Sequence, residues 1–161
     1  MRVDKRALLQ LLIDRLSDEV ARAKAHALDA AEGATHEDNR AEGDKDMRST
    51  EASYIARGHA QRTSQLEQAL TRLAHLEVVD LQPNEKIKST ALVELEHAKR
   101  RSLYFLLPAA GGEQLMLESV SVQSLTLSSP LGMALLGVSV GDEVEVESPQ
   151  GMRYYEVISV E

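Results

Sequence analysis

The fold is decided by the stretch LQLLIDRLSDEVARAKAHALDA, residues 9–30, together with its counterpart ASYIARGHAQRTSQLEQALTRL, residues 52–73. In the first stretch, a row of mostly apolar residues recurs at alternating spacings of four and three: Leu9, Ile13, Leu16, Val20, Ala23, Ala27 and Ala30. The second stretch repeats this spacing with Ala52, Ala56, His59, Thr63, Leu66, Leu70 and Leu73. Heptad spacing of this kind is typical of helices that pack along one face. We call the two rows the first and second seams.

Two seams separated by a polar stretch predict an antiparallel α-helical coiled-coil hairpin. The polar stretch runs from Glu32 to Ser49 and contains Gly33 and Gly43. The first seam passes from large to small side chains and the second from small to large, so folding back matches leucine with leucine and alanine with alanine. We therefore expect a hairpin that is slim at its far end, with His59 packed among small residues. A slim rod suits insertion into a channel, although alanine also favours helix by itself.

The composition changes near residue 80, and the rest of the chain predicts short strands with one helix. Strands are expected at residues 91–96, 102–107, 114–117, 120–122, 124–127, 144–147 and 154–160, with turns at 99–101 and 148–151. The helix carries complete end signals, because Ser129 suits the N-cap, Pro130 the first turn and Gly137 the position after the C-cap. The expected fold class is α+β: a hairpin at residues 1–80, a linker at 81–86 and an antiparallel β domain with one short helix at 87–161.

Composition excludes several classes of function. The 161-residue chain has no cysteine, so disulfides, thiolate nucleophiles and cysteine-based zinc sites are absent. Its formal net charge of −8 makes free DNA a poor partner, since affinity for DNA comes from neutralising phosphates. No stretch approaches the ~18 apolar residues of a membrane helix, and the N-terminus does not resemble a secretion signal. We therefore expect a soluble, cytoplasmic protein with no membrane partner.

The C-terminal motifs carry a resemblance to a known family. They are the helix Ser129-Pro130-Leu131-Gly132-Met133-Ala134-Leu135-Leu136-Gly137, then residues 141–146, 149–151 and 155–160. These motifs, and the order of the two domains, resemble the Gre (GreA/GreB) transcript-cleavage factors. The resemblance implies that the β domain is FKBP-like and docks on core RNA polymerase at the rim of its secondary channel. It also implies that the hairpin reaches the active centre and the nascent RNA 3′ end, where the factor stimulates hydrolysis of backtracked RNA by the polymerase without being an enzyme itself.

Acidic residues at the far end of the hairpin carry the chemistry that the resemblance implies. We call residues 32–51 the tip segment; its midpoint brings Asp38, Glu42, Asp44 and Asp46 close to the turn. By the resemblance, Asp44 acts in catalysis together with Asp46 or Glu42. These three residues and Asp38 are the expected ligands of a Mg²⁺ ion that the factor shares with the polymerase and does not bind alone. Carboxylates suit this role, because Mg²⁺ is a hard cation that prefers oxygen ligands.

The tip segment departs from the family pattern in one place. Gly43-Asp44 matches the beginning of the usual Gly-Asp-x-x-Glu-Asn motif, but Met47 stands where the glutamate is expected, and Asp46 comes one residue earlier. This departure favours an alternative function, a Gre-homologous regulator or inhibitor that occupies the same channel without promoting cleavage. The simplest structural alternative is that the tip acids form a solvated charged turn.

Two further functions remain open. A prolyl isomerase follows only from the FKBP-like fold, and the low aromatic content argues against it. A hairpin chaperone or interaction protein unrelated to polymerase would fail to bind core polymerase. The basic residues of the hairpin (Arg22, Lys24, Arg57 and Arg62) alternate with acids, so we expect them to be solvated rather than to form a nucleic-acid surface.

Overall fold

The computed structural model describes the backbone of residues 2–37 and 45–161, and the side chains of residues 2–30 and 50–161. Two long helices come first, α1 (Lys5–Glu37) and α2 (Lys45–Ala74). The remaining elements are β1 (Leu92–His97), β2 (Arg100–Leu107), β3 (Gln114–Leu117), β4 (Val120–Thr126), α3 (Pro130–Leu135), β5 (Glu143–Ser148) and β6 (Gly151–Val160). The predicted α+β class is confirmed. No helix in the described part of the chain has the length and apolar character needed to cross a membrane.

The chain divides into two compact units. The smaller unit is Asp14–Thr71, and the larger unit combines Met1–Ile13 with Arg72–Glu161. In the smaller unit, ion pairs join the helices: Arg62 lies 2.7 Å from Glu19, and Lys24 pairs with Glu67.

In the larger unit, the beginning of α1 and the end of α2 line one groove of about 480 Å³, formed by Arg6, Leu9, Gln10, Ile13, Leu73, Ala74, Leu76, Glu77 and Val78. The helices are therefore antiparallel, as the seams predict. The domain boundaries inferred from the sequence (1–80, 81–86 and 87–161) stay a prediction.

Burial along the seams changes from one end to the other. Large residues near the beginning of the first seam and the end of the second are buried: Leu9, Leu16, Val20 and Leu73. The alanines toward the tip segment are exposed (Ala27, Ala30, Ala52 and Ala56), and so is His59. The expectation that His59 packs among small residues is therefore wrong, while the matching of alanine with alanine stays a prediction. Burial stabilises in proportion to the apolar area removed from water, and alanine methyl groups offer too little area to close the helices around an imidazole.

The six strands form one sheet in the order β3-β4-β2-β1-β6-β5. All neighbouring pairs are antiparallel except β2 and β4, which run parallel with Leu103 opposite Val122 and Leu107 opposite Thr126. The prediction of an antiparallel sheet is thus wrong at this pair. A parallel pair needs a connection of about a dozen residues, and the loop together with β3, residues 108–119, provides it. The two short pieces expected at 120–127 form the single strand β4.

One face of the sheet packs against α3 in a continuous apolar core. Leu135 of α3 lies in this core with residues from four strands, including Val93, Leu95, Leu106, Val144 and Val157. Leu8 and Leu12 of α1 are also fully buried, although neither belongs to the first seam. The first turns of α1 are therefore enclosed on more than the one side that a heptad row describes.

The connection between β1 and β2 is a two-residue hairpin turn. His97 is the partner of Arg100, and both residues between them have positive φ angles, 49° at Ala98 and 62° at Lys99. The turn therefore lies at 98–99 rather than at the predicted 99–101, and Arg100 and Arg101 belong to β2. Positive φ at two successive positions is the geometry that favours Asn-Gly, whereas alanine and lysine pay a steric cost there.

We expect the double change Ala98→Asn, Lys99→Gly to raise the free energy of unfolding by about 1–2 kcal/mol, because it removes this steric cost without altering a packed side chain. Urea unfolding followed by circular dichroism measures the change. A matched control is Pro149→Asn, Gln150→Gly in the β5–β6 turn, where neither residue has positive φ. Equal stabilisation at both turns would contradict the explanation.

Candidate functional site

The acidic residues predicted as catalytic fall in the tip segment. Asp38, Glu42 and Asp44 lie outside the described residues. Asp46 is the second residue of α2, and its side chain is outside the described set. Among the described side chains, no group of three or more histidine, aspartate or glutamate residues is arranged to hold a metal ion. The tip acids therefore stay a prediction.

The four basic side chains named in the sequence analysis, Arg22, Lys24, Arg57 and Arg62, are exposed, as predicted. Arg62 donates to Glu19 Oε1 at 2.7 Å, Lys24 pairs with Glu67, and Arg22 Nε donates to the Asp18 carbonyl at 3.4 Å. Arg57 is also exposed. Ion pairs of this kind at the surface contribute little to stability, but they neutralise positive charge that a nucleic-acid-binding surface would need.

The short helix α3 begins and ends as its sequence predicts. Ser129 is the N-cap, and its Oγ accepts a hydrogen bond from the Gly132 amide at 3.1 Å. Pro130 occupies the first turn, and Gly137 follows the C-cap with a φ of 78°. The Ser129 hydroxyl also donates to the Thr126 carbonyl at 2.7 Å. This second bond joins the start of α3 directly to the end of β4.

Gly132 brings the backbone of α3 against the end of β4. A Cβ atom built at this buried position would lie 2.0 Å from the carbonyl oxygen of Thr126 and 3.0 Å from Ser129 Oγ. No side chain fits between these atoms, so glycine is required by space rather than by backbone conformation. This role of Gly132 has no signal in the sequence, since the glycine occurs inside a helix with no turn residues around it.

A groove lies between α3 and the edge strand β5. Its volume is about 600 Å³, and it is lined by Pro130, Met133, Glu145, Val146, Glu147, Ser148 and Pro149. Met133 is 59% exposed, and Leu136 and Val140 close by in sequence are 44% and 43% exposed. Exposed apolar side chains next to carboxylates suit contact with a protein surface that is apolar and basic.

Glutamates form a row across the strands at the β5 edge of the sheet. Register places Glu143 opposite Glu156, and Glu156 opposite Glu96, so three carboxylates stand in one row across three strands. The next strand ends the row with Arg101, whose Nε lies 2.9 Å from Glu96. Carboxylates directly opposite each other in a sheet repel, so a basic partner at this row would relieve the repulsion.

A family model and curated relatives match the chain. Residues 82–161 match the model described as "Transcription elongation factor, GreA/GreB, C-term". The protein named transcription elongation factor GreA in Sinorhizobium medicae is 31% identical over 152 residues, which are 91% of this chain and 81% of that protein. The GreA of Mesorhizobium japonicum is 33% identical over 122 residues, covering 70% of this chain and 72% of that protein.

Solved structures with lower similarity include two proteins named Gfh1. The GreA factor homolog 1 (Gfh1) protein of Thermus thermophilus is 20% identical, with a TM-score of 0.37 and coverage of 92% of this chain and 94% of that chain. The Gfh1 of Thermus aquaticus is 22% identical, with a TM-score of 0.38 and coverage of 91% and 92%.

Proposed function

Because the chain belongs to the GreA/GreB family of transcription elongation factors, we propose that it binds the secondary channel of bacterial RNA polymerase and acts on paused or backtracked complexes. The observation that carries the proposal is the similarity to GreA over 91% of the chain, which includes the helical hairpin as well as the sheet. Family members act with RNA polymerase as accessory factors, so the chemistry would be the polymerase's own. Its place of action would be the cytoplasm.

The hairpin is the part that would enter the channel. Helices α1 and α2 have 33 and 30 residues, and at about 1.5 Å per residue each extends roughly 45–50 Å. The alanines toward the tip segment are exposed, although Leu28, Tyr54 and Ile55 are exposed there as well. Among the described hairpin side chains, Arg62 and Lys24 are paired with acids, so RNA would be approached through the tip acids and the metal instead.

The proposed chemistry lies in the tip acids. A set of carboxylates suits Mg²⁺, and Asp44, Asp46 and Glu42, with Asp38, would hold the ion jointly with the polymerase. When bound, a second metal in a polymerase active centre supplies an activated water and neutralises charge on the RNA phosphate. The tip residues themselves would orient this water and accept its proton near the RNA 3′ end.

Docking on the polymerase is assigned to the groove between α3 and β5. Its exposed Met133 and the neighbouring Leu136 supply apolar anchors, while Glu145 and Glu147 set the sign of the partner's charge. A central apolar anchor inside a polar rim is the usual arrangement of an energetically important contact.

We expect Met133→Asp to weaken binding to core RNA polymerase by about tenfold or more, because a carboxylate replaces the apolar anchor in a groove that is already acidic. The matched control is Met116→Asp. Met116 is 58% exposed on β3, the opposite edge of the sheet, and Met133 is 59% exposed. Affinity is measured by competition against a fluorescent channel-binding factor. Equal weakening by both changes, or by neither, would remove the groove from the docking surface.

A second function is favoured by one residue. Met47 stands where the family motif has a glutamate, so the tip has one carboxylate fewer at the position expected to orient the water. The alternative proposal is a regulator that occupies the channel and inhibits the polymerase without promoting cleavage. The change Met47→Glu distinguishes the cleavage factor from the regulator, because it would raise the rate of RNA cleavage only if the remaining acids already reach the active centre.

A further inference from the structure

A buried lysine lies where α1 begins and where the chain leaves α2. Lys5 is 5% exposed, and its Nζ donates a 2.6 Å hydrogen bond to the carbonyl of Val79. The Asp80 carboxylate lies 3.9 Å away. Burial lowers the pKa of the Lys5 amine, while the nearby charges of Asp80 and Glu161 act in the opposite direction. Burying an ammonium group is costly, and here the hydrogen bond to Val79 and the nearby Asp80 carboxylate offset that cost.

Val79 is held from both sides by side chains that are distant in sequence. Its carbonyl accepts the bond from Lys5, and its amide donates to Thr90 Oγ1 at 3.0 Å. Thr90 is 1% exposed, and its own amide donates to the Leu106 carbonyl of β2 at 2.9 Å. Since Val79 belongs to neither a helix nor a strand, Lys5 and Thr90 together connect the first residue of α1 through this segment to the sheet.

Lys5 is not needed to start α1. The Asp4 carboxylate already caps the helix, because its Oδ1 accepts from the amides of Arg6 and Ala7 at 2.9 and 3.1 Å. The neighbouring cation, Arg6, has a side chain that is 69% exposed and lies 4.0 Å from Asp80. The buried Lys5 and the exposed Arg6 therefore approach the same segment, but only Lys5 bonds to its backbone.

We infer that Lys5 is a positioning residue that fixes the beginning of α1 to the segment leaving α2, and so sets the spacing of the two helices at the root of the hairpin. The inference rests on the proposed function, in which the distant tip must meet a reacting RNA. Over a helix of about 50 Å, a change of roughly 10° at the root moves the far end by about 9 Å. Catalytic geometry tolerates errors of only about 1 Å, so a fixed root is a condition for activity at the tip.

The test compares Lys5→Met with Arg6→Met. Methionine keeps the apolar length of the lysine and removes the ammonium, and the Asp80 carboxylate left behind is 51% exposed, so it is not stranded as a buried unpaired charge. We expect amide hydrogen exchange at Leu8 and Leu9 to quicken by about tenfold or more in Lys5→Met only, with the unfolding midpoint unchanged. We also expect the maximal effect of the factor on RNA polymerase, measured at saturating factor, to fall by about tenfold or more. The affinity for polymerase should stay within about twofold.

Thr90→Val provides a second variant if Lys5→Met does not fold. It removes the acceptor for the Val79 amide and leaves Lys5 in place. As for Lys5→Met, the maximal effect on RNA polymerase should fall while the affinity for polymerase is retained. The inference is overturned if a folded variant exchanges its Leu8 and Leu9 amide hydrogens at the native rate. It is also overturned if the variant keeps the full effect on RNA polymerase at saturating factor. Equal losses in Arg6→Met overturn it as well. If the native protein does not bind polymerase, the proposed function fails, and the exchange measurement still decides whether Lys5 fixes the root.

Discussion

Replacing Gly132 with alanine is expected to lower the free energy of unfolding by about 3 kcal/mol or more, at the upper end of what overpacking costs. The new Cβ would stand 2.0 Å from the Thr126 carbonyl oxygen, well inside van der Waals contact. That oxygen belongs to the backbone and accepts bonds from both the amide and the hydroxyl of Ser129, so it cannot move aside freely. The clash is relieved only if α3 moves away from β4, and this movement would also remove Leu135 from the core.

Gly58→Ala is the matched control for this change. Gly58 lies inside α2, and nothing comes within 4 Å of the Cβ that alanine would add. Because glycine within a helix is less favourable than alanine, the control should stabilise by about 0.5–1 kcal/mol. Urea unfolding of both variants, followed by circular dichroism, gives the two free energies. If Gly132→Ala costs less than about 1 kcal/mol, the close approach of α3 to β4 does not hold α3 in place.

The second large effect is expected at the tip. We predict that Asp44→Ala, Asp46→Ala reduces stimulated RNA cleavage by about 100-fold or more, the magnitude typical of losing a general base or an ion ligand. Binding to polymerase should change by less than about threefold, because docking is proposed for the groove between α3 and β5, which contains none of the tip acids. The readout is the rate of RNA hydrolysis at saturating factor, with affinity measured separately.

Asp29→Ala controls for the loss of a carboxylate elsewhere on the hairpin. Asp29 is an exposed residue of α1 outside the tip segment. It should leave cleavage unchanged, since it lies outside the turn that carries the proposed ligands. If Asp29→Ala and the double tip variant lose activity equally, the effect comes from overall charge, and the assignment of Asp44 and Asp46 is wrong.

Elements with local signals were predictable from sequence. Helix α3 follows from Ser129, Pro130 and Gly137, because caps act through hydrogen bonds and backbone preferences within one turn. The β5–β6 hairpin follows in the same way from the turn at 148–151. The parallel pairing of β2 with β4 had no such signal, since it depends on which strands meet after a long connection rather than on any neighbouring residue.

Features that depend on the surroundings of a helix were missed. The heptad pattern identifies one buried side of α1, but Leu8 and Leu12 are buried on another, and Lys5 is buried although a lysine in the first turn of a helix is ordinarily solvated. The same pattern overestimated packing near His59, where seam positions are occupied by small side chains. Both elements that line the proposed docking groove, α3 and β5, were predicted from sequence, but their packing side by side depends on the tertiary fold and had no local signal.

The most direct test uses a backtracked elongation complex with 3′-labelled RNA and Mg²⁺, to which the native protein is added. We expect short 3′ fragments to be released at least about tenfold faster than by the polymerase alone, and a known channel-binding factor to compete with the effect. Binding and competition without release would support the alternative, a channel-occupying regulator. Neither release, nor competition, nor any change in elongation would contradict the central claim that this protein acts in the polymerase channel.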